Sequence, residues 1–421
     1  MTYRKALMRG SLTAAGISLL ATASLGDDVD IWAWDPNFNG ASMEKAGEIY
    51  KADNPDFNLV FNEFAREEVE QKLQTQLAAG TTEGLPDIVL IEDYSAQKFL
   101  LSFPGAFEPL NDVLDYSEFA DYKVALATVG DQTYSVPFDS GVTGWFYRSD
   151  VLAEAGYSAT DLENITWSRF IEISKDVAAK TGMPMLSLDL NDPGMIVIML
   201  QSTGSWFFND DGSLNLVDNP AFRAVMETYG EILQTPEIYK PVNGWSEYTA
   251  SFTGGDVAST ITGVWITGTI KAADMSGQWA VAPIPRIEGV DGARNASNLG
   301  GSSWYVLSSS DNMEETKDFL QTVWGNNVDF YQEILVGQGA VGSLLKVREG
   351  DAYQSSDDYY GGLPVWQMFS DWLGDIPGVN FGIFTYEVRS AISTQLPGIA
   401  DGGDIDEAIQ AIDAEARVLT Q

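Results

Sequence analysis

The chain has 421 residues, 45% apolar and 12% aromatic, with 61 acidic against 23 basic side chains and a formal net charge of −38. It contains neither cysteine nor histidine, which excludes disulfides, cysteine or histidine metal centres and histidine-dependent triads. The acidity is spread along the chain and repels nucleic acid and anionic lipid, so no nucleic-acid partner is expected.

Residues 1–26 read as a secretory signal peptide. Arg4, Lys5 and Arg9 precede an apolar stretch over 12–25, and Ala21-Thr22-Ala23 is a small-residue cleavage site. No later stretch approaches the roughly 18 apolar residues of a membrane span. Without cysteine there is no lipid-modified anchor. Export to a periplasm, free of any lipid anchor, is the expectation.

A first strand over 29–34 breaks at Asp35-Pro36, because Asp favours turns and Pro cannot donate to a ladder. Trp34, Asp35 and Asn37 crowd this turn, and Ser42 stands where it can cap a helix over 43–51. Ligands of open α/β sheets bind at that end of the strands. Trp32 and Trp34 share one face of a strand. If Trp32 is core, Trp34 must lie past the strand's end to reach a ligand. The bland alternative is a core Trp pair followed by a polar loop.

A second strand follows at 57–64, then a helix over 67–79 with Val69, Leu73 and Leu77 on one face. Residues 88–91 are continuously apolar, as in a strand buried on both faces, and Glu92-Asp93-Tyr94-Ser95 sits at its end before a helix over 94–101. This β-α-β-α-β order predicts a parallel sheet. Gly130 turns a hairpin between 125–129 and 133–136. Residues 137–142 read as a crossing between lobes or as an ordinary long strand, and 145–147 is a further strand. Helices are predicted at 150–155, 167–180, 195–202, 220–233 and 266–275, and strands at 258–262 and 279–284. A glycine-rich stretch leads into a strand at 298–307, and a helix covers 313–323. Residues 337–343 resemble another crossing. Helices over 363–372, 386–395 and 405–419 finish the chain.

The chain holds 12 Trp, and Trp34, Trp145, Trp206, Trp245, Trp265, Trp304 and Trp366 lie at or near junctions between elements. An indole stacks on the C–H face of a pyranose, while sugar hydroxyls need carboxylate and carboxamide partners. Asp35, Asn37, Glu92, Asp93, Asp139, Asn191, Asp192 and Gln338 neighbour these indoles. For any single Trp, core packing is the competing reading. Gly300-Gly301 before Ser302 either lets the backbone approach a ligand or bends the chain between lobes. Neither phosphate-loop nor calcium-loop spacing occurs, so no metal or cofactor is expected. Asp35, Asp93, Asp139 and Glu387 supply the carboxylates of a secreted glycosidase. An acidic, Trp-rich protein also suits a cationic solute such as a polyamine. Both readings stay open beside sugar binding.

The order of these features resembles the extracellular solute-binding proteins of ABC importers, specifically the carbohydrate-binding group that includes maltose-binding protein, over nearly the whole mature chain. The residues that carry the resemblance are Ile31-Trp32-Ala33-Trp34, Leu85-Pro86-Asp87-Ile88-Val89, Tyr134-Ser135-Val136-Pro137, Trp145-Phe146-Tyr147-Arg148-Ser149-Asp150, Phe252-Thr253-Gly254-Gly255-Asp256, Gly263-Val264-Trp265 and Gly300-Gly301-Ser302-Ser303. The first stretch is also similar to lactose- and arabinoside-binding members. The resemblance implies an α/β, two-lobed type II binding-protein fold, each lobe a mixed sheet flanked by helices, with crossing hinge segments. It implies a first lobe over 27–139 and 284–340 and a second over 140–283 and 341–421. It implies a monomer that binds a neutral mono- or oligosaccharide, delivers it to membrane-embedded permease subunits, and is no enzyme. By the same similarity Asp35 falls in the first contact loop, Asp93, Tyr94 and Ser95 in the second, Asp192 and Trp206 on the second-lobe wall, and Trp265 as a stacking platform. Trp34, Asn37, Asp139, Gly301 and Ser302 complete the candidate site. Position 36 is Pro where the maltose-binding member has Lys, and 91 is Ile where it has a stacking Trp, so maltodextrin specificity is not implied.

Overall fold

The computed structural model describes residues 28–420. The expected signal peptide lies outside the described residues. Among the described residues, no helix is long and apolar enough to cross a membrane.

One continuous sheet organises the chain. Its strands run in the order Trp279–Ala282, Ser135–Arg148, Asn298–Val306, Ile88–Glu92, Val29–Ala33 and Leu59–Glu63, and Ser259–Gly263 also pairs with Ser135–Arg148. Val29–Ala33 pairs in parallel with both Leu59–Glu63 and Ile88–Glu92, as the alternating strand–helix order predicts. Ile88–Ile91 is buried throughout, helices covering both faces of the sheet.

The Ser135–Arg148 strand joins two lobes. Its first half pairs antiparallel with Asn298–Val306, from Ser135 opposite Tyr305 to Val142 opposite Asn298. Its second half pairs with Ser259–Gly263 and Trp279–Ala282. The expected crossing at 137–142 and the expected strand at 145–147 are therefore one 14-residue strand. Pro137 fits because the register shifts beside it, between Ser302 and Ser303, where a missing N–H is tolerated. A third crossing follows the helix Val328–Gln338, where Gly342 bridges to Asp139.

The return to the first lobe falls later than position 284. Asn295 Nδ2 donates to the carbonyls of Ile165 and Ile284, and Ser297 O accepts from Thr143, which ties 284–297 to second-lobe segments. Pairing with the first-lobe strand Ile88–Glu92 begins at Ser302.

Each lobe has an aromatic core. Phe138, Trp304 and Trp324 pack together in the first, and Trp145, Trp167 and Phe170 in the second. Trp32 belongs to a separate cluster with Val69, Leu73, Val89 and Phe99 on the other face of the first-lobe sheet. The helix Thr385–Ala400 runs longer than predicted, with Pro397 inside it. The predicted strand at 125–129 is instead the end of the helix Asp121–Leu126 and a two-residue hairpin strand.

Candidate functional site

The first strand ends at Ala33, so Trp34 escapes its alternation and faces a cavity while Trp32 packs below. Asp35 then adopts φ 51°, and its carboxylate accepts from the backbone N–H groups of Asn37 and Phe38. Asp35, not Ser42, therefore caps the entering helical turn, which begins seven residues before the expected start at 43, as the wide turn Pro36–Gly40. Ser42 is buried inside, donating to Phe38 O. Wide turns of this kind occur frequently at functional sites.

A cavity of about 610 Å³ lies between the lobes. The first lobe contributes Trp34, Asp35, Phe38, Asn39, Arg66, Glu92 and Tyr94; the crossing strands contribute Asp139 and Leu299–Ser302. The second lobe contributes Asp192, Trp245, Trp265, Thr269, Tyr386 and Arg389. A second compartment of about 230 Å³ continues from it into the second lobe, sharing Asp192, Trp245, Trp265 and Leu299.

Trp265 is fixed by its edge. Trp265 Nε1 donates to Leu299 O at 2.8 Å, and its ring lies 5.7 Å from that of Trp245 at 44°. A Cβ on Gly263 would stand 2.2 Å from Trp265 Nε1, so the Nε1 edge of this ring packs on bare backbone. The charges of the cavity are largely paired within the protein. Arg66 bonds Glu92 at 3.1 Å, Tyr386 also donates to Glu92, and Arg389 reaches Asp192 at 3.3 Å. Arg389 also stacks over the rings of Tyr94 and Tyr386. Asp139 Oδ1 accepts from Ser302 N and Oγ at 2.9 and 2.5 Å. Burial raises the Asp139 carboxyl above its usual range, against the pull of Lys123 and of these hydrogen bonds. Among the described residues, no group of acidic side chains is arranged to hold a metal ion.

A model of bacterial extracellular solute-binding proteins matches residues 45–359. The chain belongs to this family. The lactose-binding protein of Rhizobium radiobacter is 52% identical to it over 422 residues, covering 99% of each chain. An arabinooligosaccharide-binding protein of Halalkalibacterium halodurans is 24% identical over 89% of this chain and 86% of its own. Among solved structures, MalE of Xanthomonas citri superposes with a TM-score of 0.77 at 18% identity, covering 93% of this chain and 97% of that one. The galacto-N-biose/lacto-N-biose I-binding protein of Bifidobacterium longum, solved with lacto-N-biose, gives 0.74 at 19% identity, covering 93% and 96%. These likenesses establish the two-lobed type II fold.

In this solute-binding protein, Trp34, Asp35, Tyr94, Asp139, Asp192, Trp265, Gly301 and Ser302 border the cavity. Four expected residues do not. Asn37 is exposed beside it and contributes its backbone N–H to Asp35. Asp93 turns inward to a buried pair with Lys123 at 2.5 Å, and Lys123 also donates to Ser302 O. Ser95 is buried in the helix Asp93–Ser102. Trp206 is buried behind Tyr94, its Nε1 donating to Thr385. Gly300 and Gly301 adopt φ values of 78° and 90°, which bend the crossing strand, and both border the cavity. Of the junction Trp residues, Trp145, Trp206 and Trp304 are core, whereas Trp34, Trp245 and Trp265 line the cavity. Arg66, Tyr386 and Arg389 are cavity residues that sequence reasoning did not single out, since none lies in a local motif.

Proposed function

We propose that this protein captures a neutral disaccharide, lactose or a close galactoside, in the periplasm and hands it as a monomer to the permease subunits of an ABC importer. The observation that carries the reading is the meeting of three indoles with hydrogen-bonding groups in one interlobe cavity. Indole faces supply platforms for the C–H faces of pyranose rings, and Asp35, Asn39, Asp139 and Asp192 supply partners for hydroxyls. Arg66 pairs with Glu92 and Arg389 with Asp192, and the two remaining carboxylates, Asp35 and Asp139, are held by hydrogen bonds from backbone N–H groups and Ser302, an arrangement that favours a neutral cargo over an anionic one. The 52% identity to a lactose-binding protein supports the choice of disaccharide.

Two guanidinium groups in the cavity already match Glu92 and Asp192, which opposes a polyamine at those carboxylates. A glycosidase would need a carboxyl pair free to act across the scissile bond. Of the carboxylates offered for that role, Asp35 is engaged by the N–H groups of Asn37 and Phe38, Asp139 by Ser302, Asp93 is buried against Lys123, and Glu387 does not line the cavity. Calorimetric titration with a panel of neutral sugars tests the reading: saturable binding of lactose without hydrolysis is expected. A folded protein that saturates with no neutral sugar would overturn it.

A further inference from the structure

The smaller compartment backs onto the core of the second lobe. Its floor is formed by Leu186, Ile198 and Ile261, each 3% exposed or less. Tyr248, Thr260 and Thr262 form a polar wall on which the Tyr248 and Thr260 hydroxyls share a hydrogen bond. Burial pushes the Tyr248 phenol up to about 12, so it stays protonated and available as a donor or acceptor. A cavity of about 150 Å³ holds one six-membered carbon ring, so about 230 Å³ suits a single pyranose and not two. At its mouth stands Trp245, 56% exposed. The larger interlobe cavity opens from the same mouth.

We infer that this second-lobe compartment takes one terminal pyranose of the cargo and ends there, so that the bound sugar can be extended from only one of its two ends. The inference rests on the sugar-binding reading above. The terminal ring lies between the Trp245–Trp265 mouth and the hydroxyl wall, and the second ring lies in the interlobe cavity. Ring hydroxyls entering the compartment must find partners there, because a buried unpaired hydroxyl is costly. Thr262 and Tyr248 therefore select the terminal sugar, while the outer cavity tolerates substituents.

Three ligands test this on the unaltered protein by calorimetry: lactose, a galactosyl-lactose lengthened at the non-reducing end, and p-nitrophenyl lactoside, lengthened at the reducing end. One lengthened ligand is expected to bind within about threefold of lactose and the other to weaken by roughly 100-fold or more. Equal tolerance of both, or loss of both, would overturn the inference while lactose binding keeps the sugar-binding reading standing. Binding of no neutral sugar would remove both. Met195→Trp, which narrows the compartment from the helix Gly194–Gln201, should weaken lactose by more than about 30-fold, and Thr262→Val, which removes one hydroxyl at nearly constant shape, by about tenfold. Unaltered lactose affinity in folded Thr262→Val and Met195→Trp proteins would count equally against it. Should Met195→Trp fail to fold, Thr262→Val and the lengthened ligands decide.

Discussion

Trp265 is tethered by its edge, which leaves a ring face to the cavity. Its Nε1 is already spent on Leu299 O, so its contribution to a ligand is stacking and not hydrogen bonding. Trp265→Ala should cost about 1–3 kcal/mol of sugar affinity, the range of aromatic hot spots, with a folded far-UV dichroism spectrum. Unchanged affinity in calorimetry would remove Trp265 from the site. Asp93 calls for a different experiment, since it is buried away from the cavity. Burial pushes its carboxyl up to about 7, against the attraction of Lys123. An aspartate in the unfolded chain titrates near 3.9. Between these values the folded state holds more protons, so this group's contribution to stability falls as pH rises from about 4 to about 7. Removing both charges in Asp93→Asn/Lys123→Met should flatten that slope, read as urea midpoints at several pH values. Above about pH 7, where the wild-type carboxylate is ionised, Asp93→Asn alone should destabilise by about 3–5 kcal/mol, because it strands a buried ammonium, and the penalty should shrink at lower pH.

The two crossing strands are the elements on which everything else turns, and they touch backbone to backbone. A Cβ on Gly141 would stand 2.1 Å from Leu299 O, and one on Gly301 would stand 2.6 Å from Asp93 Oδ2. Gly141→Ala should therefore force the strands apart and cost about 1–3 kcal/mol, seen as a lowered Tm. An unchanged Tm would show that the crossing yields easily. Such closeness leaves little trace in a sequence. The strand–helix alternation of the first lobe was legible because Ile88–Ile91 is apolar throughout and Val69 and Leu73 repeat at helical spacing. The single long crossing strand was only half legible, since Pro137, Gly141 and Gly144 interrupt its pattern and only tertiary pairing keeps it extended. At the site, Trp34 and Asp35 were legible because strand end, turn and carboxylate are adjacent in the chain. Asp93 and Trp206 sit at equally suggestive junctions, yet the sequence does not say which way their side chains turn. Arg66 and Tyr386 meet at Glu92 from helices 320 residues apart in the chain, a proximity that no local spacing reveals.

At the scale of the whole molecule, the cavity is a property of two lobes and not of either one. Arg66 and Glu92 come from the first, Tyr386 and Arg389 from the second, and the Glu92–Tyr386 hydrogen bond bridges them. A sugar that touches both walls stabilises the closed arrangement, because an open cleft offers it one wall at a time. Binding to the folded state alone also raises stability by mass action, about 2.7 kcal/mol at 100 times the Kd. Saturating lactose is thus expected to raise Tm and, in small-angle scattering, to lower the radius of gyration in the same concentration range. Trp265→Ala should shift both titrations to higher lactose by the same factor, since its indole stands on the second-lobe wall that closure brings onto the ligand. A rise in Tm with no change in the radius of gyration would mean that the sugar enters lobes already closed. In that case the Arg66–Glu92–Tyr386 contacts hold the cleft shut in its absence, and Tyr386→Phe should restore the sugar-dependent change in size.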